Sequence, residues 1–348
     1  MAAGPPATAG GGGGGGGGIL ARALALFRRY KRLVQVVVLA LIALFLGADV
    51  TRSWSKLAGQ AISVQWGLLL AAFAVLITQE VSYGFIWRGI LARMGSRLDA
   101  VSAQRIYLSA EFVRYIPGNV LHVITRVLWA EQRGVPKATG FASMVVELAT
   151  KITSAALVFA VSLFFWHDSG AIAQAVPSWA LPAIGAVGVP LLLLGLHPRL
   201  LTWALNTGLR KLKRPPVEFT LRYRDVLIVT LYWSLSWMLA GVGFYLLVRA
   251  LTQAPLPGAA IIIAMGIYAI GWDVGFLTFV TPSGLGFREV VIAYLVAAAL
   301  LGSVGAAAIA VGTVVAFAAR LLSTGAELLC IAVAHAIPGA RPVVPERA

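Results

Sequence analysis

Ionisable side chains interrupt three long apolar stretches of this chain: Glu147 and Lys151, Asp273, and Arg320 and Glu327. Residues four or seven positions apart share one face of a helix. An Asp, Lys or Arg at the centre of a membrane helix costs about 2.5 to 3.5 kcal/mol. We therefore expect these side chains to face the interior of a helix bundle. There they either line a path for a polar substrate or pair with one another and fix the packing of the helices.

A proline–glycine segment precedes another charged residue. Pro117 and Gly118 lie within the sequence Tyr-Ile-Pro-Gly-Asn-Val at 115–120, and Arg126 follows nine residues after the proline. Proline disfavours the α conformation of the residue before it, and glycine permits a sharp turn. The segment therefore predicts that a helix ends at Ile116 and that a second one carries Arg126.

A second segment repeats this arrangement. Pro282 and Gly284 are followed by Arg288 and Glu289 at the start of another apolar stretch. Paired interruptions in two halves of a membrane protein are typical of a transporter binding site, where helix N-termini meet anionic groups. The alternative is an ordinary loop between two membrane spans at each break.

Signals of enzymatic chemistry are missing from the sequence. The four histidines are far apart, the single cysteine is Cys330, and no phosphate-binding loop is present. Gly284-Leu285-Gly286 lacks the third glycine and the strand–helix context of a dinucleotide-binding turn. We expect no cofactor, no metal and no catalytic residue, and hence a protein that is not an enzyme.

The composition is that of a membrane protein. Of 348 residues, 59% are hydrophobic and 12% are charged, whereas soluble domains carry about 25% charged residues. Seven apolar stretches reach or approach the ~20 residues that cross a bilayer: 33–47, 66–94, 141–166, 179–196, 226–251, 259–280 and 304–334. Two shorter segments, 106–127 and 290–301, predict re-entrant or broken helices at the proline–glycine breaks, and the second is alternatively an eighth span. The predicted fold is an all-α polytopic membrane protein with seven to eight transmembrane helices.

In the span at 226–251, Trp233, Trp237 and Tyr245 fall near one face and indicate packing or interface anchors.

Charge predicts the orientation and the organisation of the chain. Lys and Arg number five before the first span and seven in each of the ranges 93–137 and 199–224, and none occurs in 167–177. Because positive loops stay in the cytoplasm, the N-terminus is predicted there, in a multi-pass protein of the cytoplasmic membrane. The predicted organisation is a disordered glycine-rich and basic tail at 1–32, a transmembrane domain at 33–335 and a C-terminal tail at 336–348. The net charge of +15 then reflects contact with anionic lipid, and we expect no nucleic acid partner.

The two breaks carry a resemblance to a known family. Residues 115–120, Arg126, 134–135 and Glu147 form one matching block, and 282–289 form the other. In these blocks the chain resembles the lysylphosphatidylglycerol synthase transmembrane family of flippase-like membrane proteins, over nearly all of 30–335. The resemblance implies translocation of lipids, among them aminoacylated phosphatidylglycerol, or an association with glycosyltransferases that use polyprenyl-linked sugars. The chain departs from the family pattern at 120–122, where many members have a polar pair.

The resemblance and the buried charges together give a predicted site for a lipid headgroup. The motif match carries over Arg126, Glu147, Arg288 and Glu289, and the intramembrane charges add Asp273, Arg320 and Glu327. The three arginines are expected to contact phosphate, and the carboxylates to balance them when the site is empty.

The predicted function is the flipping of a phospholipid or a polyprenyl-linked glycolipid across the membrane. One alternative is an integral-membrane aminoacyl or glycosyl transferase, although the aminoacyl-transferring soluble domain of bifunctional members and an acidic D-x-D motif are both missing. The other is a non-catalytic partner that recruits a glycosyltransferase through the basic range 199–224. The expected partners are membrane lipids, anionic or linked to polyprenyl phosphate.

Overall fold

The protein is a bundle of α-helices. The computed structural model describes residues 64–113, 121–166, 175–211, 221–278, 286–302 and 308–336, and no strand occurs in these ranges. We number the described helices in chain order as α1 Trp66–Arg93, α2 Ala100–Val113, α3 Leu121–Glu131, α4 Lys137–Ser162, α5 Ala180–Gly195, α6 Pro198–Lys211, α7 Tyr223–Leu251, α8 Ala260–Leu277, α9 Phe287–Ala299 and α10 Ala308–Ala336. A short 3₁₀ turn, Leu163–Phe165, extends α4.

Five of these helices are long and apolar enough to cross a membrane. They are α1, α4 with its 3₁₀ turn, α7, α8 and α10, with lengths of 18 to 29 residues. At 1.5 Å per residue, 18 residues give about 27 Å, close to the ~30 Å hydrocarbon core. The prediction of an all-helical polytopic membrane protein is confirmed.

Six of the seven predicted spans fall in the part of the chain that the structure describes, and five of those six are confirmed. The stretch at 179–196 forms α5, whose 16 residues reach only about 24 Å. The sequence pattern overestimated this stretch because apolar side chains continue beyond the helix ends. The predicted span at 33–47 and the predicted tail at 1–32 lie outside the described residues. So does the predicted tail at 336–348, apart from Ala336, which ends α10.

The two segments predicted as broken helices form short helices. The range 106–127 contributes to α2 and α3, which are 14 and 11 residues long. The range 290–301 contributes to α9, whose 13 residues are too few for an eighth full crossing. The breaks themselves, with Pro117, Gly118, Pro282 and Gly284, lie outside the described residues, so the helix end at Ile116 stays a prediction.

The five long helices form the body that holds the short ones. Helix α1 packs along α7, α7 packs on α4 and α8, and α8 also contacts α4 and α9. Helix α10 packs against α9, α1 and α2, and α3 lies between α2 and α4. Gly312 of α10 lies directly against the carbonyl oxygen of Ala293 in α9, where a larger side chain has no room. The short helices α2, α3 and α9 are thus held against long neighbours.

Two of the short helices begin with a defined cap. The carboxylate of Asp99 accepts a hydrogen bond from the Ser102 N–H at 2.8 Å, before the first turn of α2. Hydrogen bonds from Ser102 hold the pKa of Asp99 below its ordinary value. Ahead of α9, Gly286 has a φ of +90°, a conformation that glycine adopts without strain. Its N–H donates to the Glu289 carboxylate at 2.8 Å. Such caps satisfy backbone donors that a helix start leaves open.

Candidate functional site

Buried charge is the main feature of the bundle interior. Within the described ranges, six carboxylates and five cations are buried: Glu80, Glu111, Glu147, Asp273, Glu289 and Glu327, and Arg105, Arg126, Lys151, Arg288 and Arg320. All seven predicted site residues belong to this set. The prediction that the charges within apolar stretches, Glu147, Lys151, Asp273, Arg320 and Glu327, face the interior rather than lipid is confirmed.

Arg126 of α3 lies between two carboxylates. Its guanidinium is 1% exposed, and it donates to Glu147 of α4 at 2.5 Å and to Glu111 of α2 at 2.6 Å. The Tyr107 hydroxyl donates to the other oxygen of Glu147 at 2.8 Å. Charge-assisted hydrogen bonds of this length are the strong ones in proteins. This cluster, which we call the Arg126 cluster, ties α2, α3 and α4 together.

Aromatic rings cover the Arg126 cluster. The guanidinium carbon lies 4.0 Å from the centre of the Tyr107 ring and 5.5 Å from that of Trp87. Cation–π contacts strengthen when water is excluded. The rings therefore close the cluster from the side that the carboxylates leave open.

Lys151 lies one helical turn beyond Glu147 on α4, in a cage of three rings. Its ammonium nitrogen is 3.9 Å from the centre of the Tyr83 ring, 4.8 Å from Trp233 and 4.7 Å from Trp272. These rings come from α1, α7 and α8, so four helices meet at one ammonium group. The indole N–H of Trp237 donates to the Lys151 carbonyl at 3.1 Å and fixes the backbone there.

Asp273 of α8 lies beside this cage. The residue follows Trp272 directly, is 3% exposed, and interacts electrostatically with Lys151. Its Oδ1 atom has no hydrogen-bond partner among the described residues. A buried carboxylate oxygen without a hydrogen-bond donor is unusual, because buried polar atoms nearly always form a hydrogen bond.

Arg288, at the start of α9, is held by an aromatic ring and a glycine. Its guanidinium carbon lies 5.0 Å from the centre of the Tyr268 ring. A Cβ atom on Gly275 would come within 2.9 Å of the Arg288 Cβ, so only glycine allows this approach. Within the described ranges, Arg288 has no carboxylate at salt-bridge distance, and its Nη2 has no hydrogen-bond acceptor. Within the same ranges, Arg126 also has one donor without an acceptor, its Nε. Arg288 thus differs from Arg126 in having no carboxylate partner among the described residues.

The remaining predicted residues lie on α9 and α10. Glu289 reaches Arg320 at 3.6 Å with one oxygen, and its other oxygen caps α9 at Gly286. Glu327 lies two turns further along α10, and both Glu327 and Glu80 of α1 act electrostatically on Cys330. Glu289 and Arg320 form one group, while Glu327 belongs to another.

Tyr83 links these groups. Its ring is in contact with the ammonium of Lys151, lies 5.9 Å from the Tyr107 ring of the Arg126 cluster, and interacts electrostatically with Arg288. A hydrogen bond between Gln79 and the Tyr83 hydroxyl anchors the ring to its own helix. The Arg126 cluster and the Lys151 cage are therefore connected through Tyr83, and this series of polar groups extends toward Arg288.

Several members of this series were missed from the sequence. Glu111 and Tyr107, which complete the Arg126 cluster, are four residues apart and share a face of α2, a signal that the sequence offered. Trp233 and Trp237 are fully buried, so the packing interpretation is right for them and the interface interpretation is wrong. Tyr83 and Trp272 carry no sequence signal, because their role depends on a lysine from another helix.

The arrangement offers both signs of charge within an apolar bundle. Donor groups of Arg288 and the ammonium of Lys151 suit an anion, and the carboxylates suit hydroxyl or amine donors. Within the described ranges, no three His, Cys, Asp or Glu side chains lie close enough to hold a metal ion.

Comparison with known proteins gives a family match. The model of the family described as Lysylphosphatidylglycerol synthase TM region matches residues 32–324. This range includes every buried charged residue named above except Glu327, which lies just past its end. No curated protein matches the chain.

Proposed function

The chain belongs to the Lysylphosphatidylglycerol synthase TM region family, and on that premise we propose that it translocates a lipid with a phosphate-containing headgroup across the membrane. The lipid is a phospholipid or a polyprenyl-linked glycolipid. The observation that carries the proposal is the connected series of buried charged and aromatic groups inside helices that are otherwise apolar.

A lipid headgroup needs such a series to cross the bilayer. A charged group at the centre of the membrane is costly, and proteins lower this cost with paired charges and polar groups that face the bundle interior. The acyl chains need no such shelter, because they are as apolar as the surrounding lipid. A path for headgroups alone therefore fits the balance of polar and apolar surface in this bundle.

We assign the phosphate contact to Arg288. Its guanidinium retains an unused donor, and a planar guanidinium binds phosphate oxygens in pairs. It also lies in the first turn of α9, where the helix N-terminus favours an anion.

We assign Arg126 a positioning role. Two carboxylates already engage its terminal nitrogens, Nη1 and Nη2, at 2.5 and 2.6 Å, so a phosphate that binds both nitrogens would have to displace them. The Arg126 cluster instead holds α2, α3 and α4 in place beside the Lys151 cage.

The expected partners are membrane lipids, and we propose that the chain is not itself an enzyme. We also propose the cytoplasmic membrane as its location, with the N-terminus in the cytoplasm. Recruitment of a glycosyltransferase is a second candidate role. It draws support from α6, where Arg199 and Arg210 are exposed.

Translocation is testable with purified protein in liposomes. Fluorescent phosphatidylglycerol, placed in both leaflets, is quenched from outside by a reductant that does not cross the membrane. Protein-free liposomes should lose about half of the fluorescence, because only the outer leaflet is accessible to the reductant. With active protein, lipid from the inner leaflet also becomes accessible, so nearly all of the fluorescence should be lost. A loss equal to that of protein-free liposomes, for phosphatidylglycerol and for a polyprenyl-linked sugar alike, would refute the proposed function.

A further inference from the structure

Asp273 is an ionisable group that the phosphate contact does not use. It lies on α8, a candidate membrane span, and is 3% exposed. Its Oδ1 has no hydrogen-bond donor among the described residues. An ionised carboxylate is far more costly to bury without partners than a neutral carboxylic acid. The site therefore favours a bound proton whenever no cation compensates the charge.

The neighbours of Asp273 provide one such cation. On the α4 side, the ammonium of Lys151 interacts with Asp273, and Glu147 lies one turn away on the same helix. Trp233 of α7 and Tyr83 of α1 lie against that ammonium. From α9, Arg288 packs on Tyr268 and Gly275, positions that face away from Asp273 on a helical projection of α8.

The buried charges leave one carboxyl in excess. In the described part of the chain, six buried carboxyl groups accompany five buried cations. Arg126 engages two of the carboxylates and Arg320 lies beside a third. One proton brings the two signs into balance. Among the described side chains, Asp273, Glu289 and Glu327 each have an oxygen without a hydrogen bond, and of these the oxygen of Glu289 lies 3.6 Å from Arg320. We assign the proton to Asp273.

We propose that Asp273 binds and releases a proton during each transport cycle and so couples lipid movement to the proton gradient. A hydronium ion on one side transfers a proton to the Asp273 carboxylate: an O–H bond of the hydronium breaks, an O–H bond forms on the carboxyl group, and water is left. Lys151 then loses its counter-charge and attracts the headgroup phosphate. Release of the proton to water on the other side restores the Lys151–Asp273 interaction and expels the phosphate. This inference rests on the proposed function and adds its energy source.

The proton itself is observable without transport. Infrared spectra of the purified full-length chain near neutral pH should contain the carbonyl-stretch band of a protonated carboxyl group. Asp273→Asn should remove this band. Asp99→Asn is the matched control, because Asp99 is exposed and Asn is an equally good helix cap. Retention of the whole band in Asp273→Asn would overturn the assignment.

Coupling is measured in the same liposomes that test translocation. With one proton per lipid, a gradient of one pH unit should drive about a tenfold ratio of fluorescent lipid between the leaflets. Asp273→Asn should still exchange lipid but give a ratio near one, while Asp99→Asn should behave as the parent protein.

The outcomes separate the two proposals. A parent protein that moves lipid to a ratio near one despite the gradient would refute coupling and leave the proposed function intact. A parent protein that moves no lipid would refute the proposed function, and the infrared band would still decide whether Asp273 holds a proton.

Discussion

Arg126 and Arg288 each lie on a short helix held inside the bundle, and their guanidinium groups have different neighbours. Arg126 donates to Glu111 and Glu147, whereas Arg288 rests on the Tyr268 ring with a donor unused. Removal of a charge from a closed buried cluster leaves its partners uncompensated, while removal of an open charge does not. Substitution of Arg126 should therefore lower the stability of the fold, whereas substitution of Arg288 should lower lipid translocation.

Replacement of Arg126 by Gln should destabilise the protein. Breaking a buried pair by removing one partner costs about 3 to 5 kcal/mol, and here two carboxylates lose the same cation. Thermal unfolding in detergent should show a clear drop in midpoint, and the folded yield should fall. Arg199→Gln serves as the control, because Arg199 is exposed.

The triple variant Arg126→Met, Glu111→Gln, Glu147→Gln should recover part of the loss, since it removes all three charges together. An Arg126→Gln protein as stable as Arg199→Gln would contradict the positioning role of Arg126.

At the scale of the helices, the site depends on how closely α9 packs against α8 and α10. Helix α9 carries Arg288 and Glu289, and its position is set by α8 on one side and α10 on the other. Gly275 admits Arg288 against α8, and Gly312 admits the α9 backbone against α10. Small residues at such contacts let membrane helices pack closely.

Gly312→Ala should weaken this contact. The added methyl group would fall on the Ala293 carbonyl oxygen, and overpacking typically costs about 1 to 3 kcal/mol. Gly67→Ala on α1 is the matched control, because nothing lies within 4 Å of its Cβ position, and Ala favours the helix by up to about 1 kcal/mol. Unfolding midpoints that rank Gly312→Ala at or above Gly67→Ala would show that α9 and α10 do not approach as described.

The same scale shows what the sequence predicted and what it did not. Apolar length predicted the long helices, and charge within apolar stretches predicted the interior placement of Glu147, Lys151, Asp273, Arg320 and Glu327. Arg126, Arg288 and Glu289 entered the predicted site through the family resemblance. The Lys151 cage could not be predicted, because its rings come from α1, α7 and α8, whose relative positions follow from packing. The stretch at 179–196 was overestimated because hydropathy does not show where a helix ends.

For the whole molecule, orientation in the membrane remains a prediction from the distribution of Lys and Arg. The ranges 93–137 and 199–224 hold seven each and 167–177 holds none, so the first two should face the cytoplasm. In a Cys330→Ala background, which removes the only cysteine of the chain, Ser169→Cys should react with an impermeant maleimide on intact cells.

Lys213→Cys in the same background should react only after the cells are permeabilised. Equal folded yield of the two variants is the control. The opposite labelling pattern would contradict the predicted orientation and place the N-terminus outside the cytoplasm.

The most direct test of the central claim compares translocation by Arg288 variants with their folded stability. Arg288→Lys keeps the charge but loses the planar fork, so lipid translocation per folded protein should fall in part, and Arg288→Gln should nearly abolish it. Arg210→Gln, at an exposed position of α6, should leave the rate unchanged, and all three variants should unfold close to the parent midpoint. Undiminished translocation by Arg288→Gln would contradict the account, because the headgroup would then cross without the one buried arginine assigned to its phosphate.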